Sequence, residues 1–262
     1  LSLSQLLQEN AGTILDLSAT KLHHNHITEL VNALGVATSL ETLILENCKL
    51  NDNEIEILAN GLAGAAIVAP IKRLSFRSNR MGNRGAVSLH AWFSTTGTLE
   101  ELDLSKNQIG SRGAASTLHA FRDNRNCRIR MLNMAHNEIW DPDDGTFFAA
   151  NRTLELMNLE GNFIHDEGIE AIAKGIVANK RCALQRLYLG WNGIGDEGCM
   201  QLAKMLERNK SIVTLGLGEN DITSVGARAL LAALATNTSL REITGLFHNQ
   251  IDRKFIIAAI KR

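Results

Sequence analysis

The sequence has few residues of several informative kinds. Its 262 residues include only two prolines, Pro70 and Pro142, and four cysteines, none of which forms a C-x-x-C pair. So few prolines suit a chain that is mostly regular secondary structure. The cysteine spacing matches neither a disulfide framework nor a zinc site. We therefore expect four reduced thiols, as in a cytoplasmic protein.

Charge and hydropathy also exclude several classes of protein. The formal net charge is −1, so no overall field favours nucleic acid or an anionic membrane. No apolar run approaches the roughly 18 residues that a membrane helix needs, and the start has no signal-peptide pattern. The chain opens on Leu1 rather than Met, and we expect a fragment of a longer protein.

Catalytic and metal-binding motifs are missing as well. The sequence contains no G-x-S-x-G, P-loop, H-E-x-x-H or zinc-finger spacing. His23, His24 and His26 do not share one helical face, and the sequence places no cysteine beside them, so they are interpreted as a surface turn. We expect no catalytic residue, metal, cofactor or small-molecule substrate.

The sequence does contain a repeated unit. Leu184, Leu187, Leu189, Asn192 and Ile194 fill the pattern L-x-x-L-x-L-x-x-N-x-I. Its first position recurs at Leu40, Ile71, Leu99, Ile129, Leu154, Leu184, Ile212 and Leu240. A degenerate unit aligned on Gly12 makes nine. This is the signature of leucine-rich repeats with a helix in each unit.

Each part of the unit has a physical reason. Positions 4 and 6 are apolar around an exposed position 5, which is typical of a half-buried strand. The asparagine at position 9 can satisfy backbone groups where the chain turns. A helix follows, for which Asp166 and Asp196 are the predicted N-caps in two units. A recurrent glycine, as at Gly226, is predicted to let the helix start lie close to its neighbour.

Two units depart from the pattern. The fifth, from Ile129, is only 25 residues long, and its connector WDPDDGTFF predicts a shortened helix. The ninth has one extra residue near Gly245, which predicts a bulge. We expect residues 1–11 to form the helix of a preceding or capping repeat. Residues 12–262 are expected to form one repeat domain, closed by a C-terminal cap in FIIAAIKR.

The repeats resemble a known family. Units of mostly 28 to 31 residues with a full helix resemble the ribonuclease-inhibitor-like leucine-rich repeats. The stretch NGIGDEGCMQLAKMLERNKSIVTLGLGEN is similar to repeats of NOD-like receptors and Ran GTPase-activating proteins. The resemblance implies an α/β solenoid shaped as a horseshoe, with a parallel β-sheet on the concave face and α-helices on the convex face. It also implies a non-catalytic scaffold that binds a protein partner on the concave surface.

Equivalent positions of neighbouring repeats stand side by side in such a sheet, so exposed columns predict contacts. Position 2 alternates in sign over Glu41, Lys72, Glu100, Arg130 and Glu155. Positions 3 and 7 place Arg73 beside Glu101 and Arg77 beside Glu46. We expect lateral ion pairs worth a few tenths of a kcal/mol each. Because interleaved acids cancel the field of the arginines, no nucleic acid is expected.

A candidate partner-binding site lies nearer the C-terminus. Tyr188 and Trp191 are predicted to face out of the concave side above a shallow floor of Gly190, Gly216 and Gly218, as an aromatic anchor of an interface. The predicted partner-binding residues are Tyr188, Trp191, Phe247, His248, His136, Glu160 and Glu219. In the alternative interpretation, Trp191 covers the asparagine of its own repeat.

Two other functions stay open. A GTPase activator resembling the Ran activators would need an arginine in an early loop, for which Arg80 and Arg84 are the substitutes in this sequence. The chain could instead be the ligand-sensing repeat region of a NOD-like receptor.

Overall fold

The computed structural model describes residues 12–64 and 69–252. Contacts between residues divide the chain into two compact units, Leu1–Asn137 and Glu138–Arg262. The helix expected in residues 1–11 and the C-terminal cap helix lie outside the described residues. That the repeats form one continuous domain stays a prediction.

The first unit contains five parallel strands that pair in chain order. They are β1 (Ile14–Asp16), β2 (Thr42–Ile44), β3 (Arg73–Ser75), β4 (Glu101–Asp103) and β5 (Met131–Asn133). Its described helices are α1 (His24–Leu34), α2 (Asp52–Ala63), α3 (Asn83–Ser88), α4 (His90–Phe93) and α5 (Ser111–Asp123). Even the degenerate first repeat forms its predicted strand.

The second unit repeats this arrangement, with parallel pairing of β6 to β7, β7 to β8 and β8 to β9. The strands are β6 (Leu156–Asn158), β7 (Arg186–Tyr188), β8 (Thr214–Gly216) and β9 (Glu242–Thr244). The helices are α6 (Thr146–Ala150), α7 (His165–Ala178), α8 (Asp196–Arg208) and α9 (Ser224–Leu234). The five-residue α6 confirms the shortened helix of the fifth repeat.

The strand register aligns equivalent positions of neighbouring repeats. Leu187 of β7 pairs with Leu215 of β8, and Leu215 pairs with Ile243 of β9. Leu187 and Leu215 are fully buried, so position 4 faces the helices, as the period-two pattern predicts. Parallel strands, each followed by a helix, confirm the predicted leucine-rich repeat fold.

The position 9 asparagine ties each turn to the repeat before it. In Asn192, which is 1% exposed, Nδ2 donates to the carbonyl oxygens of Leu159, Leu189 and Gly190. Its Oδ1 accepts from the N–H of Ile164 at 3.2 Å. The amide therefore satisfies buried backbone groups in two consecutive repeats, as predicted.

The predicted N-caps are wrong. Asp166 lies in the first turn of α7, whose N-cap residue is Ile164, and Asp196 is the first residue of α8 after the N-cap Gly195. Instead, Asp166 Oδ1 accepts from the N–H of Gly195 at 2.7 Å. The carboxylate thus supplies an acceptor to the helix of the next repeat, where helix-start N–H groups lack partners.

The recurrent glycine at the start of a helix lies against the helix-start aspartate of the preceding repeat. A Cβ on Gly226 would stand 2.7 Å from Asp196 Oδ1 and 2.9 Å from Cys199 Cβ. Any larger residue would push the aspartate away from the N–H groups that it accepts from. The predicted close approach of the helix start to its neighbour is confirmed here.

Two of the predicted lateral ion pairs have the following geometry. Lys72 Nζ lies 2.6 Å from Glu41 Oε1, and Arg73 Nε lies 3.1 Å from Glu101 Oε1. The predicted pair of Arg77 with Glu46 is wrong. Arg77 donates to the Ser105 hydroxyl, and Glu46 accepts from the Ser75 hydroxyl, because a serine in the adjacent repeat lies nearer to each charge.

The three histidines near the start of the sequence lie at the N-terminal end of a helix. Helix α1 begins at His24, and His26 Nδ1 accepts from the N–H of His23 at 3.1 Å. The centroids of the His23 and His26 rings lie 5.8 Å apart.

Across the described part of the chain, every helix is too short or too polar to cross a bilayer.

Candidate protein-binding surface

The exposed tryptophan and phenylalanine rings of the described residues all lie in the second unit. Trp140, Phe163, Trp191 and Phe247 are exposed by 68%, 49%, 59% and 51%. The other phenylalanines and Trp92 in the described ranges are buried. Exposed side chains of this size are unusual in such number, and their concentration marks a surface suited to a partner. We call these four residues the aromatic edge.

Trp140, Phe163 and Trp191 lie in three successive repeats, and Phe247 lies two repeats after Trp191. The N–H of Phe163 donates to Ile139 O at 2.8 Å, next to Trp140. In the following repeats, the N–H of Trp191 donates to Gly218 O at 2.9 Å, and the N–H of Glu219 donates to His248 O at 2.8 Å. Each turn is therefore bonded to an adjacent one along the same end of the strands.

Two rings of the aromatic edge pack on each other. The centroids of Trp140 and Phe163 lie 6.5 Å apart, in an edge-to-face arrangement. Sequence reasoning missed Phe163 altogether and treated Trp140 as part of an acidic connector. The signal was present, since each is a large apolar residue within three residues after the recurrent turn asparagine, where neighbouring repeats place polar residues or glycine.

Trp191 is held in a left-handed backbone conformation. Its φ is +57°, and the equivalent residues Lys106, His136 and Glu219 have φ of +55° each. In the preceding repeat the position is Gly161, with φ of +68°. The left-handed conformation is thus a property of this turn position in the repeat, and Trp191 adopts it with its ring largely exposed.

The exposure of Trp191 weakens the alternative that it covers its asparagine. Asn192 is bonded through its side chain to three carbonyl oxygens and is buried under backbone, whereas most of the tryptophan surface is open to solvent.

The shallow glycine floor that we predicted is already occupied. The Glu160 carboxylate lies over Gly190, where a Cβ would stand 2.9 Å from Glu160 Oε1. The ring of Tyr188, which is half-buried, covers Gly216, where a Cβ would stand 2.8 Å from Tyr188 Cδ1. Gly190 and Gly216 therefore provide room for these two side chains.

The remaining predicted residues divide between the units. His248 and Glu219 are exposed and adjoin the aromatic edge through their backbone bond. His136 is exposed too, but it belongs to the first unit. Gly245 takes φ of +69° and its carbonyl accepts from the N–H of His248 at 2.9 Å, so a turn follows β9 directly, and the predicted bulge stays a prediction.

The turns of the second unit are acidic. Residues 138–141, 160–164, 190–194, 218–222 and 247–251 contain no lysine or arginine, and their acids are Glu138, Asp141, Glu160, Glu219 and Asp221. Helix-start acids such as Asp196 are explained by the positive end of the helix dipole. These turn acids lie outside the helices, so the dipole does not account for them.

The arginines considered for GTPase activation are placed differently. Arg84 lies in the first turn of α3, and its guanidinium donates to the Asn53 side chain of the preceding repeat. Arg80 lies in a turn, and its backbone N–H donates to Leu50 O at 2.8 Å. Arg84 therefore contributes to the contact between two repeats.

Comparisons with known proteins agree with the repeat pattern. A model described as Leucine Rich repeat matches residues 98–116, 150–173, 182–203 and 208–231. Mouse ribonuclease inhibitor is 28% identical over 236 residues, which cover 87% of this chain and 50% of that protein. Human NACHT, LRR and PYD domains-containing protein 13 is 26% identical over 98% of this chain and 25% of its own length. The chain thus spans half or less of these relatives.

Solved structures support the fold. A Listeria monocytogenes internalin aligns with a TM-score of 0.55 and 17% identity, over 92% of this chain and 63% of its own. The protein in a TLR13–ssRNA13 complex aligns with a TM-score of 0.53 and 20% identity, over 95% and 33%. The chain is built from leucine-rich repeats, and these repeats match those of the ribonuclease-inhibitor-like class.

Proposed function

We propose that the second unit binds a protein partner through the aromatic edge, as a recognition scaffold without catalysis of its own. The observation that carries the proposal is the group of four exposed rings in the turns of one unit, three of them in successive repeats. Interface anchors are enriched in tryptophan because one ring removes much apolar surface from water. Related repeat proteins, including one named as an inhibitor of ribonuclease, are in keeping with protein binding.

The acidic turns favour one kind of partner surface. Glu160 and Glu219 belong to the repeats on either side of Trp191, so a group that covers the ring also approaches carboxylates. Complementary charge speeds association and selects among partners. The partner is therefore proposed to present lysine or arginine around an apolar group. Cys48 and Cys199 are buried thiols, which suits a reducing compartment, and we place the function in the cytoplasm.

A selection from a displayed library of protein fragments tests the proposal. Fragments enriched on the chain are rebound to a variant with Trp140→Ala and Trp191→Gly; glycine suits positive φ, as Gly161 shows. The control is Val225→Ala with Leu231→Ala, since both residues are exposed on α9. We expect the aromatic variant to lose the fragments, and the control to keep them.

The unfolding midpoint completes this test. It should be nearly the same in all three proteins, because exposed rings contribute little to the core. Fragments that bind the aromatic variant as tightly as the original chain would place the site elsewhere. An aromatic variant that unfolds would show that Trp191 is a structural residue.

A further inference from the structure

The helix side of the second unit carries a second surface of opposite charge. A groove of about 440 Å³ runs between α7 and α8, and a neighbouring cavity of about 280 Å³ shares Val177, Lys180 and Arg208 with it. The floor contains Ala173, Val177 and Met205. The cations around it are Lys174, Lys180, Lys204, Arg208 and Lys210. We call this the basic groove.

Like charges are stacked across the basic groove. Lys174 and Lys204 are 30 residues apart, as are Lys180 and Lys210, and the first-turn residues Asp166 and Asp196 have the same separation. Lys174 and Lys204 are therefore equivalent residues of α7 and α8, and Lys180 and Lys210 are equivalent residues just after the ends of these helices. The strand side of the first unit does the opposite, since Lys72 is paired with Glu41 of the preceding repeat. Adjacent like charges repel, so packing alone does not explain the groove.

Two acids accompany these cations. Glu170 Oε1 lies 2.6 Å from Lys174 Nζ on the same helix, and its carboxylate also feels the charge of Lys204. Glu207 lines the groove at the end of α8. Five cations against these two acids leave a positive surface. Lys174 and Lys204 stand within their helices, away from the last residues, where a cation would balance the helix dipole.

We infer that the basic groove is a docking site for an acidic, amphipathic segment of a partner protein. Its aspartates or glutamates would meet the stacked lysines, and its apolar side chains would lie on Val177 and Ala178. This surface does not depend on the aromatic edge, so each of the two proposals can fail alone.

Fluorescence anisotropy with two labelled peptides tests the inference. The first peptide places glutamates and leucines at helical spacing, and the second is polyglutamate of the same length. The full chain should bind the amphipathic peptide more tightly, with an affinity that falls as salt is added. Lys174→Gln with Lys204→Gln should weaken binding by about tenfold, as loss of complementary charges does.

The matched control changes the same charge elsewhere. Arg186 and Arg241 are exposed on the strand side, and Arg186→Gln with Arg241→Gln should leave the affinity unchanged. Val177→Ser should weaken binding of the amphipathic peptide and leave binding of polyglutamate unchanged.

Three results would overturn the inference. They are equal binding by the lysine variant, equal binding of the two peptides, and lysine-dependent binding of phosphatidylserine vesicles without binding of the peptide. The last result would identify a membrane surface as the ligand.

Discussion

Asp196 Oδ1 lies 2.8 Å from the N–H of Gly226, the third residue of the following helix α9. The same oxygen accepts from the N–H of Thr223 at 2.9 Å, and Oδ2 accepts from the Thr223 hydroxyl at 2.6 Å. One side chain therefore supplies the acceptors that the start of the next helix needs. A carboxylate at that end is also favoured by the helix dipole.

Asp196→Ala should lower the free energy of unfolding by about 1–2 kcal/mol, the usual cost of losing a helix cap. Urea denaturation followed by circular dichroism measures the change. Glu197→Ala, in the same turn and exposed, is the control and should have a much smaller effect. Equal effects of the two changes would mean that the bonds to α9 contribute nothing beyond the charge.

The pKa of Asp196 also makes the stability depend on pH. Burial acts to raise this pKa, but the hydrogen bonds from the Thr223 side chain and from the N–H groups of Thr223 and Gly226 outweigh it, so the pKa lies below its ordinary value of 3.8. The stability from this group is present above the unfolded-state value and is lost as the pH falls through the lower folded-state value.

Asp196→Asn removes that titration. In unfolding curves measured from neutral to acidic pH, the original chain should have the larger free energy of unfolding at neutral pH. The difference from the asparagine variant should shrink in the acid range. A constant difference between the two proteins across that range would contradict the lowered pKa.

Asn192→Ala should destabilise the second unit by about 1–3 kcal/mol, because buried carbonyl groups lose their donor. The unfolding midpoint in urea measures this loss. Asn32 is exposed on α1, and Asn32→Ala should change the midpoint very little. A small effect of both changes would mean that water replaces the Asn192 amide.

Cys199 should be nearly unreactive in the folded chain. Burial, with the charges of Asp196 and Asp166 adding to it, raises the pKa of its thiol to about 12, and the thiolate is the reactive form. Iodoacetamide labelling at mildly alkaline pH, mapped by mass spectrometry, should modify the partly exposed Cys182 first. In urea the two cysteines should react at similar rates. Fast labelling of Cys199 in the folded chain would contradict its burial.

Lys72→Glu should cost a modest amount of stability that depends on salt. The change removes the pair with Glu41 and places like charges side by side, and exposed pairs of this kind contribute about 0.2–1 kcal/mol. Thermal unfolding should show a loss at low salt that shrinks at high salt. Lys72→Gln should lose less. A loss that is independent of salt would point to packing of the lysine stem instead.

The repeat pattern predicted the fold because its apolar positions determine both which side chains are buried and how the strands align. Leu187 and Leu215 have to be buried, and their spacing also sets the register of the strands. Local contacts were predicted less well. The Asp196 carboxylate is close in sequence to its own helix start, but it bonds to the next repeat, and spacing within one repeat does not reveal which neighbour is nearer.

A second set of buried asparagines was missed. Asn179 at the end of α7 donates to the carbonyl of Phe148 in the preceding repeat, and Asn237 donates in the same way to Leu206. Asn179, Asn209 and Asn237 recur at spacings close to those of the leucines, so the signal was available. The repeat signature covers only the first eleven positions of the unit, and these asparagines lie after them.

The candidate surface was predicted only in part. Trp191 and Phe247 could be found because the strand pattern locates the turn after each strand. Trp140 lies in the short connector before α6, and its ring packs on that of Phe163 after β6. The repeat pattern does not describe the path of this connector.

The carboxylate that reaches from one repeat to the next gives the chain an order of assembly. In each described case the acceptor lies earlier in the sequence than the helix that it serves, as with Asp52 and Gly82, Asp166 and Gly195, and Asp196 and Thr223. A ribosome makes the earlier repeat first. Each of these helices therefore leaves the ribosome after its acceptor has been made, and folding from the N-terminal side leaves fewer helix starts without a partner than folding from the other side.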